Sequence, residues 1–390
     1  MKVLVNAVSA RTGGALSYLR NFLPALARLG LVDEFVVFAP SRFANESRGL
    51  APNIRIETSP CAEGGALSRF AFDQWMLRRF ATRARVDRIF STANFGILHP
   101  PAPQAVFVRN PTYFSPEYSR RVREVEGRIA AWKVAARRRL VAASCASSVA
   151  VLTPTAAMRA SLVESGAADP AKCVVVNHGF DRDAFLSMDP APDEAIRDSL
   201  ARRWDEKILF YPSLFGRHKN FDALFEGLAA LAKRGRNVRL LSTCRIDPAG
   251  GRFERRAWRL FKNLALERNV TFLGPLPYRS MPRVYAACDI VVWPSFAESF
   301  GQPLLEAMAC RRPIVSAGIA ASREVARDAA LYFEPFDAEG FADAVDKALD
   351  PAVSARLVEA GSKRVGDFSW RRHVERVVEI LRSLPEGDHG

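Results

Sequence analysis

The sequence predicts an α/β protein built from two doubly wound parallel-sheet units in tandem, and three observations carry that expectation. Short apolar runs alternate with helical repeats along the chain, as in a parallel sheet covered by helices on both faces. The length, 390 residues, suits two or three domains. With 49% hydrophobic and 25% charged residues, the composition is that of an ordinary globular protein. The 23 glycines and 24 prolines follow no period, which excludes a collagen-like or low-complexity chain.

Taken in order, Lys2–Val8 reads as a strand, Ser17–Leu29 as a helix with Leu19, Phe22, Leu23 and Leu26 on one face, and Glu34–Ala39 as a strand. Arg88–Ser91, Ala105–Val108, Ser148–Leu152 and Lys172–Val176 continue the series. A second series follows Asp181-Arg182-Asp183 and the Asp/Pro-rich stretch Asp189–Asp193. It contains Ile208–Tyr211, Val238–Leu241, Val270–Leu273, Ile290–Trp293, Pro313–Ser316 and Ala330–Phe333 as strands, with Phe221–Lys233 and Pro303–Cys310 as helices between them. The expected division is 1–185, 186–370, and a last helix over 371–390 that crosses back to the first domain. Ser369 is a candidate N-cap for that helix. Ligands of such sheets sit beyond the carboxyl ends of the strands, which places the expected site in a cleft between the two units.

The chain carries 56 Lys and Arg against 42 Asp and Glu, a net charge of +14. Residues 1–185 hold 25 basic and 14 acidic side chains, residues 186–390 hold 31 and 28. A basic half beside a nearly neutral one suggests a surface that meets polyanions. Within it, Arg69–Arg88 and Arg120–Arg139 are both Arg-rich. In the second, Val122, Val125, Ile129, Trp132, Ala136 and Leu140 recur at intervals of three or four, the pattern of a basic amphipathic helix suited to an anionic membrane surface. No zinc-finger, RNP or helix-turn-helix pattern accompanies the charge, so nucleic acid is not an expected partner. Cys61, Cys145, Cys173, Cys244, Cys288 and Cys310 lie far apart, with no C-x-x-C and no His at ligand spacing. They read as buried thiols in a reducing compartment, and no metal site is expected. No signal-peptide core and no apolar stretch of about 18 residues stands out. The expected location is cytoplasmic, peripheral on the inner face of the membrane.

Three segments carry candidate chemistry. Gly13 and Gly14 follow the first strand and open the first helix, where backbone N–H groups approach a phosphate or sugar. In the second series, Ile208–Tyr211 leads through Pro212-Ser213-Leu214-Phe215-Gly216-Arg217-His218-Lys219-Asn220 into a helix. There Arg217 offers a fork and Lys219 a point charge to a pyrophosphate. The third is PSFAESFGQPLLEAMA at 294–309, a turn between a strand and a helix. Glu298 lies in the turn and Glu306 about one turn inside the helix, so the two carboxylates can grip different hydroxyls of one ligand. N–H groups around Phe300 and Gly301 stand at a helix N-terminus that suits a diphosphate.

The third segment resembles the E-x7-E signature of the GT-B retaining glycosyltransferases of family 4. VLTPTAAMRASLVESG at 151–166, NHGFD at 177–181, HKN at 218–220, FLGPLPYRSMPRVYAACD at 272–289 and FSW at 368–370 agree with it. The resemblance implies a GT-B fold, two Rossmann-like domains facing a central cleft, with acceptor bound by the first and nucleotide sugar by the second. It implies Lys219 and Arg217 on the donor diphosphate, Glu306 on the ribose and Glu298 on the transferred sugar. Ser299, Phe300 and Gly301 would line the diphosphate with Ser213 and Leu305 nearby, Gly13 and Gly14 would close over it, and Gly274 and Leu276 would lie near the base. The chain has Pro212-Ser213 where the family often has Gly-Arg, leaving Arg217 to substitute. Arg109-Asn110 stands where many members carry His-Asp, a place for acceptor or phosphate.

The activity implied is metal-independent, retaining transfer of a sugar from a GDP- or UDP-sugar to a glycan or lipid-linked acceptor in cell-surface polysaccharide synthesis, with no cofactor beyond that co-substrate. A sugar-nucleotide epimerase of the same fold would turn over donor without acceptor. A catalytically inactive relative would bind nucleotide and transfer nothing.

Overall fold

A computed structural model describes residues 1–11, 13–46, 49–188, 198–201 and 205–386; the Asp189–Asp193 stretch expected near the domain boundary lies outside them. The chain forms two compact units that interleave along the sequence. One comprises Met1–Phe114, Lys133–Gly179 and Ser369–Gly390, the other Ser115–Trp132 and Phe180–Phe368.

The first unit holds a seven-stranded sheet: β1 (Lys2–Asn6), β2 (Glu34–Phe38), β3 (Ile54–Glu57), β4 (Arg88–Ser91), β5 (Gln104–Phe107), β6 (Ala150–Thr153) and β7 (Cys173–Val175). Its order is β3-β2-β1-β4-β5-β6-β7, and every pairing is parallel. Val5 stands between Val37 and Phe90 in register. The second unit holds β8 (Lys207–Tyr211), β9 (Val238–Ser242), β10 (Val270–Phe272), β11 (Ile290–Trp293), β12 (Ile314–Ala317) and β13 (Ala330–Phe333), ordered β10-β9-β8-β11-β12-β13 and again parallel throughout. The strands in the middle of both sheets are buried on both faces, which explains their continuous apolar runs. In each sheet the order reverses once, between β1 and β4 and between β8 and β11. Those reversals are the places where loops part and leave a crevice at the carboxyl edge.

Two elements depart from the expectations. The strand β3, Ile-Arg-Ile-Glu, carries no apolar run because it is an edge strand with half its side chains toward solvent. The Arg-rich segment over 120–139 is not one helix. Gly127, at φ 93°, ends the helix Pro116–Glu126, and a new helix runs over Arg128–Ala146. The apolar spacing of three or four runs on across the break, yet Ile129 and Trp132 are exposed rather than packed. Cys61 is exposed too, while Cys145, Cys173, Cys244 and Cys288 are buried as expected. Among the described residues no helix is long and apolar enough to cross a membrane.

The helix Trp370–Ser383, capped by the Ser369 hydroxyl on Arg372 N–H, packs in the first unit against the helix Gly13–Arg28. Val374, Val377, Val378 and Leu381 supply its buried face. Its last carbonyls are met by the buried Arg88 at the start of β4, which donates Nε to Leu381 O at 3.1 Å and Nη2 to Leu384 O at 2.8 Å. At its first turn the His373 Nδ1–H donates to Asn177 O at 2.7 Å, leaving Nε2 to accept the Tyr18 hydroxyl at 2.9 Å. Tyr18, Phe107, Trp370 and His178 ring this imidazole.

Burial, and secondarily Arg109, push the His373 pKa from 6.5 down to about 4. The neutral imidazole is therefore the folded form, and the unfolded chain takes up the extra proton as pH falls from 6.5 to 4. Stability from this group is complete above that window and declines within it. Between pH 7 and 4.5 the loss is about 2 to 3 kcal/mol. Urea unfolding at the two pH values checks this: the gap between midpoints should narrow in His373→Gln, and an unchanged gap would assign the acid sensitivity elsewhere.

Candidate functional site

The second sheet reverses between β8 and β11, and the loops leaving those two strands, 212–220 and 294–301, carry the candidate residues. Neutral hydrogen bonds join the loops before any charge is considered. The buried Tyr211 hydroxyl, at the end of β8, donates to Lys219 O at 2.9 Å and lies 3.2 Å from Ser295 Oγ. Asn220 Nδ2 donates to Pro294 O at 3.1 Å, and Phe296 N–H to His218 O at 3.1 Å. Asn220 sits at φ 55°, the left-handed region that asparagine tolerates, and this turns the chain into the helix Phe221–Lys233.

Held this way, Lys219 Nζ lies 2.6 Å from Glu298 Oε1 and 4.5 Å from the centre of the Trp293 ring. The two charged side chains are 16% and 13% exposed, so the pair is screened little by solvent. Burial alone would raise the Glu298 carboxyl, but Lys219 and His218 beside it hold it below its ordinary value. His218 approaches the same oxygen at 3.8 Å, and burial, with Lys219, lowers its pKa to about 4. At neutral pH the site thus presents one cation, one carboxylate and a neutral imidazole. Gly301, at φ 93° and ψ 61°, turns the chain into the helix Gln302–Ala309, and a Cβ there would meet Leu304 Cδ1 at 3.0 Å. That helix directs the positive end of its dipole toward the loop.

Glu306, in the second turn of that helix, is almost fully buried, and each of its oxygens accepts a phenol. Tyr278 donates to Oε1 at 3.0 Å and the buried Tyr285 to Oε2 at 2.8 Å. Burial raises its carboxyl pKa, and the two hydroxyls partly offset this. Gly274, at φ 73°, passes beside Arg245: a Cβ there would stand 2.9 Å from its Nε. Leu276 and Leu305 pack on the core of the unit, and Ser213 is buried with its hydroxyl on Leu214 O. Ser299 and Phe300 complete the turn before Gly301.

Arg217 does not join the Lys219–Glu298 pair. It is engaged instead by Glu126 on the helix Pro116–Glu126, at 2.7 Å, with Tyr118 Oη at 3.4 Å. The sequence could not show this, because Glu126 lies in the segment 115–132 that folds with the second unit. The sequence does not mark Tyr278 or Tyr285 as a partner of Glu306, from which they lie 28 and 21 residues away.

Four candidates belong to the first unit. Gly13 and Gly14 are exposed at the start of the helix after β1, with open space where a Cβ would stand. Arg109 and Asn110 follow β5. Both backbone N–H groups donate to Asn94 Oδ1 at 2.8 Å, and Arg109 Nη1 reaches Gly14 O at 3.5 Å. The Arg109 guanidinium lies 4.4 Å above the Tyr18 ring. Burial lowers its pKa to about 10, so it stays charged at neutral pH. Beneath the same edge Asn6, the last residue of β1, donates Nδ2 to the buried Asp73 at 3.1 Å. Burial raises Asp73 to about 7. Among the described residues no group of three or more His, Cys, Asp or Glu side chains could hold a metal ion.

The arrangement has solved counterparts in fold. The chain is similar to sucrose-phosphate synthase from Thermosynechococcus elongatus, with TM-score 0.75, 19% identity and 98% of both chains covered. It is similar to Anabaena HepE in complex with UDP and glucose, with TM-score 0.69, 18% identity, and 98% of this chain and 100% of that one covered. The fold is therefore GT-B, two Rossmann-like α/β units of seven and six parallel strands. Among curated proteins, the D-inositol 3-phosphate glycosyltransferase of Frankia alni is 31% identical over 244 residues, 61% of this chain and 59% of that protein. The chain spans about half to three-fifths of the length of the curated relatives it matches. The model of the family described as Glycosyl transferases group 1 matches residues 192–364, the segment that holds Ser213, Arg217, Lys219, Gly274, Leu276, Glu298, Gly301 and Glu306.

Proposed function

We propose that the chain is a retaining, metal-independent glycosyltransferase of family 4, which moves a sugar from a nucleoside-diphosphate sugar to a hydroxyl of a glycan or lipid-linked acceptor in cell-surface polysaccharide synthesis. The observation that carries this reading is the Lys219–Glu298 pair at the β8/β11 reversal, inside the segment that matches the group 1 model. A fixed cation, 2.6 Å from a carboxylate, stabilises a leaving diphosphate without reorganising during reaction. Lys219 takes that part, with the helix N-terminus after Gly301 facing the same phosphates. Glu298, kept ionised by Lys219, accepts hydrogen bonds from hydroxyls of the transferred sugar. Glu306 accepts the ribose hydroxyls. In a same-face transfer the departing phosphate takes the acceptor proton as the new glycosidic bond forms. Arg217, held on Glu126, steadies the loop that carries Lys219. Arg109 and Asn110 are the candidates for acceptor or phosphate contact in the first unit. UDP is the favoured nucleotide because the similar protein HepE binds it.

Thermal unfolding with UDP-, GDP-, ADP- and TDP-sugars tests the reading. At 100 times Kd, a true donor adds about 2.7 kcal/mol. The gain should vanish in Glu306→Ala and in Lys219→Ala. Donor turnover without acceptor would favour the epimerase, and binding without transfer to any acceptor the inactive relative.

The two phenols on Glu306 have opposite roles in donor binding. Tyr285 is buried and stays in place, whereas Tyr278 is 47% exposed and must yield its oxygen to a ribose hydroxyl. Tyr278→Phe should bind donor nucleotide at least as tightly as the natural chain. Tyr285→Phe, which strips a hydrogen bond from a buried carboxylate, should weaken binding about tenfold. The reverse order in a titration would exclude Glu306 as the ribose acceptor.

Peripheral docking on the cytoplasmic face of the membrane is supported by the first unit. Leu67 and Trp75 are 86% and 73% exposed on consecutive helical segments over 66–83, with Met76 half exposed and Arg69, Arg78 and Arg79 along the same run. Sedimentation with phosphatidylglycerol vesicles at low salt should carry the protein down, and Trp75→Ser should reduce the bound fraction several-fold. No sedimentation of the natural chain would sink the idea.

A further inference from the structure

Within the second unit, the helix Arg252–Asn263 packs beside Pro116–Glu126, and between them lies a cavity of about 380 Å³ lined by Glu124, Val125, Arg252, Arg255, Arg256 and Arg259. None of these residues belongs to the Lys219–Glu298 site. The four arginines follow an i, i+3, i+4, i+7 spacing, so they share one exposed face, while Phe253, Ala257 and Phe261 fill the buried one. Like charges so spaced destabilise an isolated helix by a few tenths of a kcal/mol per pair. A face that collects four of them around a cavity, with only Arg256 paired to an acid, keeps an excess of positive charge.

Glu226 lies within Coulombic reach of Arg256 and Arg121, and the other carboxylates nearby are already engaged. Glu124 is bonded by Arg120 at 2.8 Å, Glu126 by Arg217 at 2.7 Å, and Asp222 is shared between Arg121 at 2.6 Å and Arg256 at 3.0 Å. Among the described residues Arg252, Arg255 and Arg259 form no ion pair. Each is anchored to backbone through a single nitrogen: Arg252 Nη1 to Glu126 O at 3.3 Å, Arg255 Nη1 to Gly250 O, and Arg259 Nε to Arg255 O at 3.4 Å. A guanidinium has five N–H donors, so most remain for a ligand, from forks whose stems are already placed.

We propose that this cavity is a second binding site, for a small phosphorylated molecule with at least two negative charges. Three unpaired guanidiniums, beside a fourth on Arg256 that shares Asp222, call for a multiply charged anion, and forked donors match phosphate oxygens bidentately. The volume, about 380 Å³, exceeds what a bare phosphate fills and lies in the range of small-molecule pockets, roughly 300–1,000 Å³. A phosphorylated sugar or a diphosphate fits that charge and size. The site stands whether or not the Lys219–Glu298 loops bind a donor.

Isothermal titration of the full chain with inorganic pyrophosphate tests it, on the natural sequence, on Lys219→Ala, and on the double variant Arg255→Ala with Arg259→Ala. Both arginines are exposed and alanine favours helix, so the fold should survive; Arg255→Gln with Arg259→Gln is a second pair for the same test. Pyrophosphate binding should persist in Lys219→Ala and weaken at least about tenfold in either pair. Equal affinity in the arginine pairs, or complete loss in Lys219→Ala alone, overturns the proposal. So does sedimentation with phosphatidylglycerol vesicles that depends on Arg255 and Arg259 in a chain that takes up no pyrophosphate, since the surface would then serve a lipid headgroup.

Discussion

The second unit is organised around the reversal of strand order between β8 and β11, because that reversal brings residues 79 positions apart into one ion pair. A partly buried pair of this kind is costly to desolvate, and its attraction repays the cost only when the geometry is fixed. The fixing is done by neutral groups. The Tyr211 hydroxyl, the Asn220 amide and the Phe296 N–H join the two loops independently of Lys219 and Glu298. The charges therefore sit on a frame that exists without them, the condition under which an electrostatic site is preorganised rather than assembled by its ligand.

The same strand order in the first unit gives a different electrostatic result, and the contrast shows which factor decides. At the β1/β4 reversal the buried carboxylate is Asp73, whose near partner is the neutral amide of Asn6; burial prevails and its pKa rises to about 7. At the β8/β11 reversal the carboxylate is Glu298, with Lys219 at 2.6 Å, and the charged form prevails. Topology supplies the crevice in both units. A cation within hydrogen-bond reach decides the charge state.

Most of the sheet framework was legible because its strands are buried on both faces: Arg88–Ser91, Ile290–Trp293 and Ala330–Phe333 agree residue for residue with the expectation. The strand β3 was hidden because an edge strand needs only half its side chains apolar. The break at Gly127 was hidden because the apolar spacing on either side stays compatible with one helix. Lys219, Glu298 and Glu306 were legible as residue types in a local pattern. Their partners were not: Glu126 for Arg217, and Tyr278 and Tyr285 for Glu306, are set by tertiary packing between segments with no local signature.

Charge shows the same limit at larger scale. Counted by halves, the chain places its excess of positive charge in residues 1–185 and leaves the rest almost balanced. Yet an arginine face with three members that form no ion pair among the described residues, on Arg252–Asn263, lies in the balanced half. The balance there is produced by acids paired elsewhere: Glu206 with Arg239 at 2.9 Å in the interior, and Glu339, Asp343 and Asp346 around Arg234 at the surface. Coulombic attraction acts over a few ångströms at physiological salt, so an acid spent on one arginine does nothing for another beyond about a Debye length of 8 Å. What a ligand meets is the residue of these local cancellations, which a sum over the sequence cannot contain and the packing of two helices can.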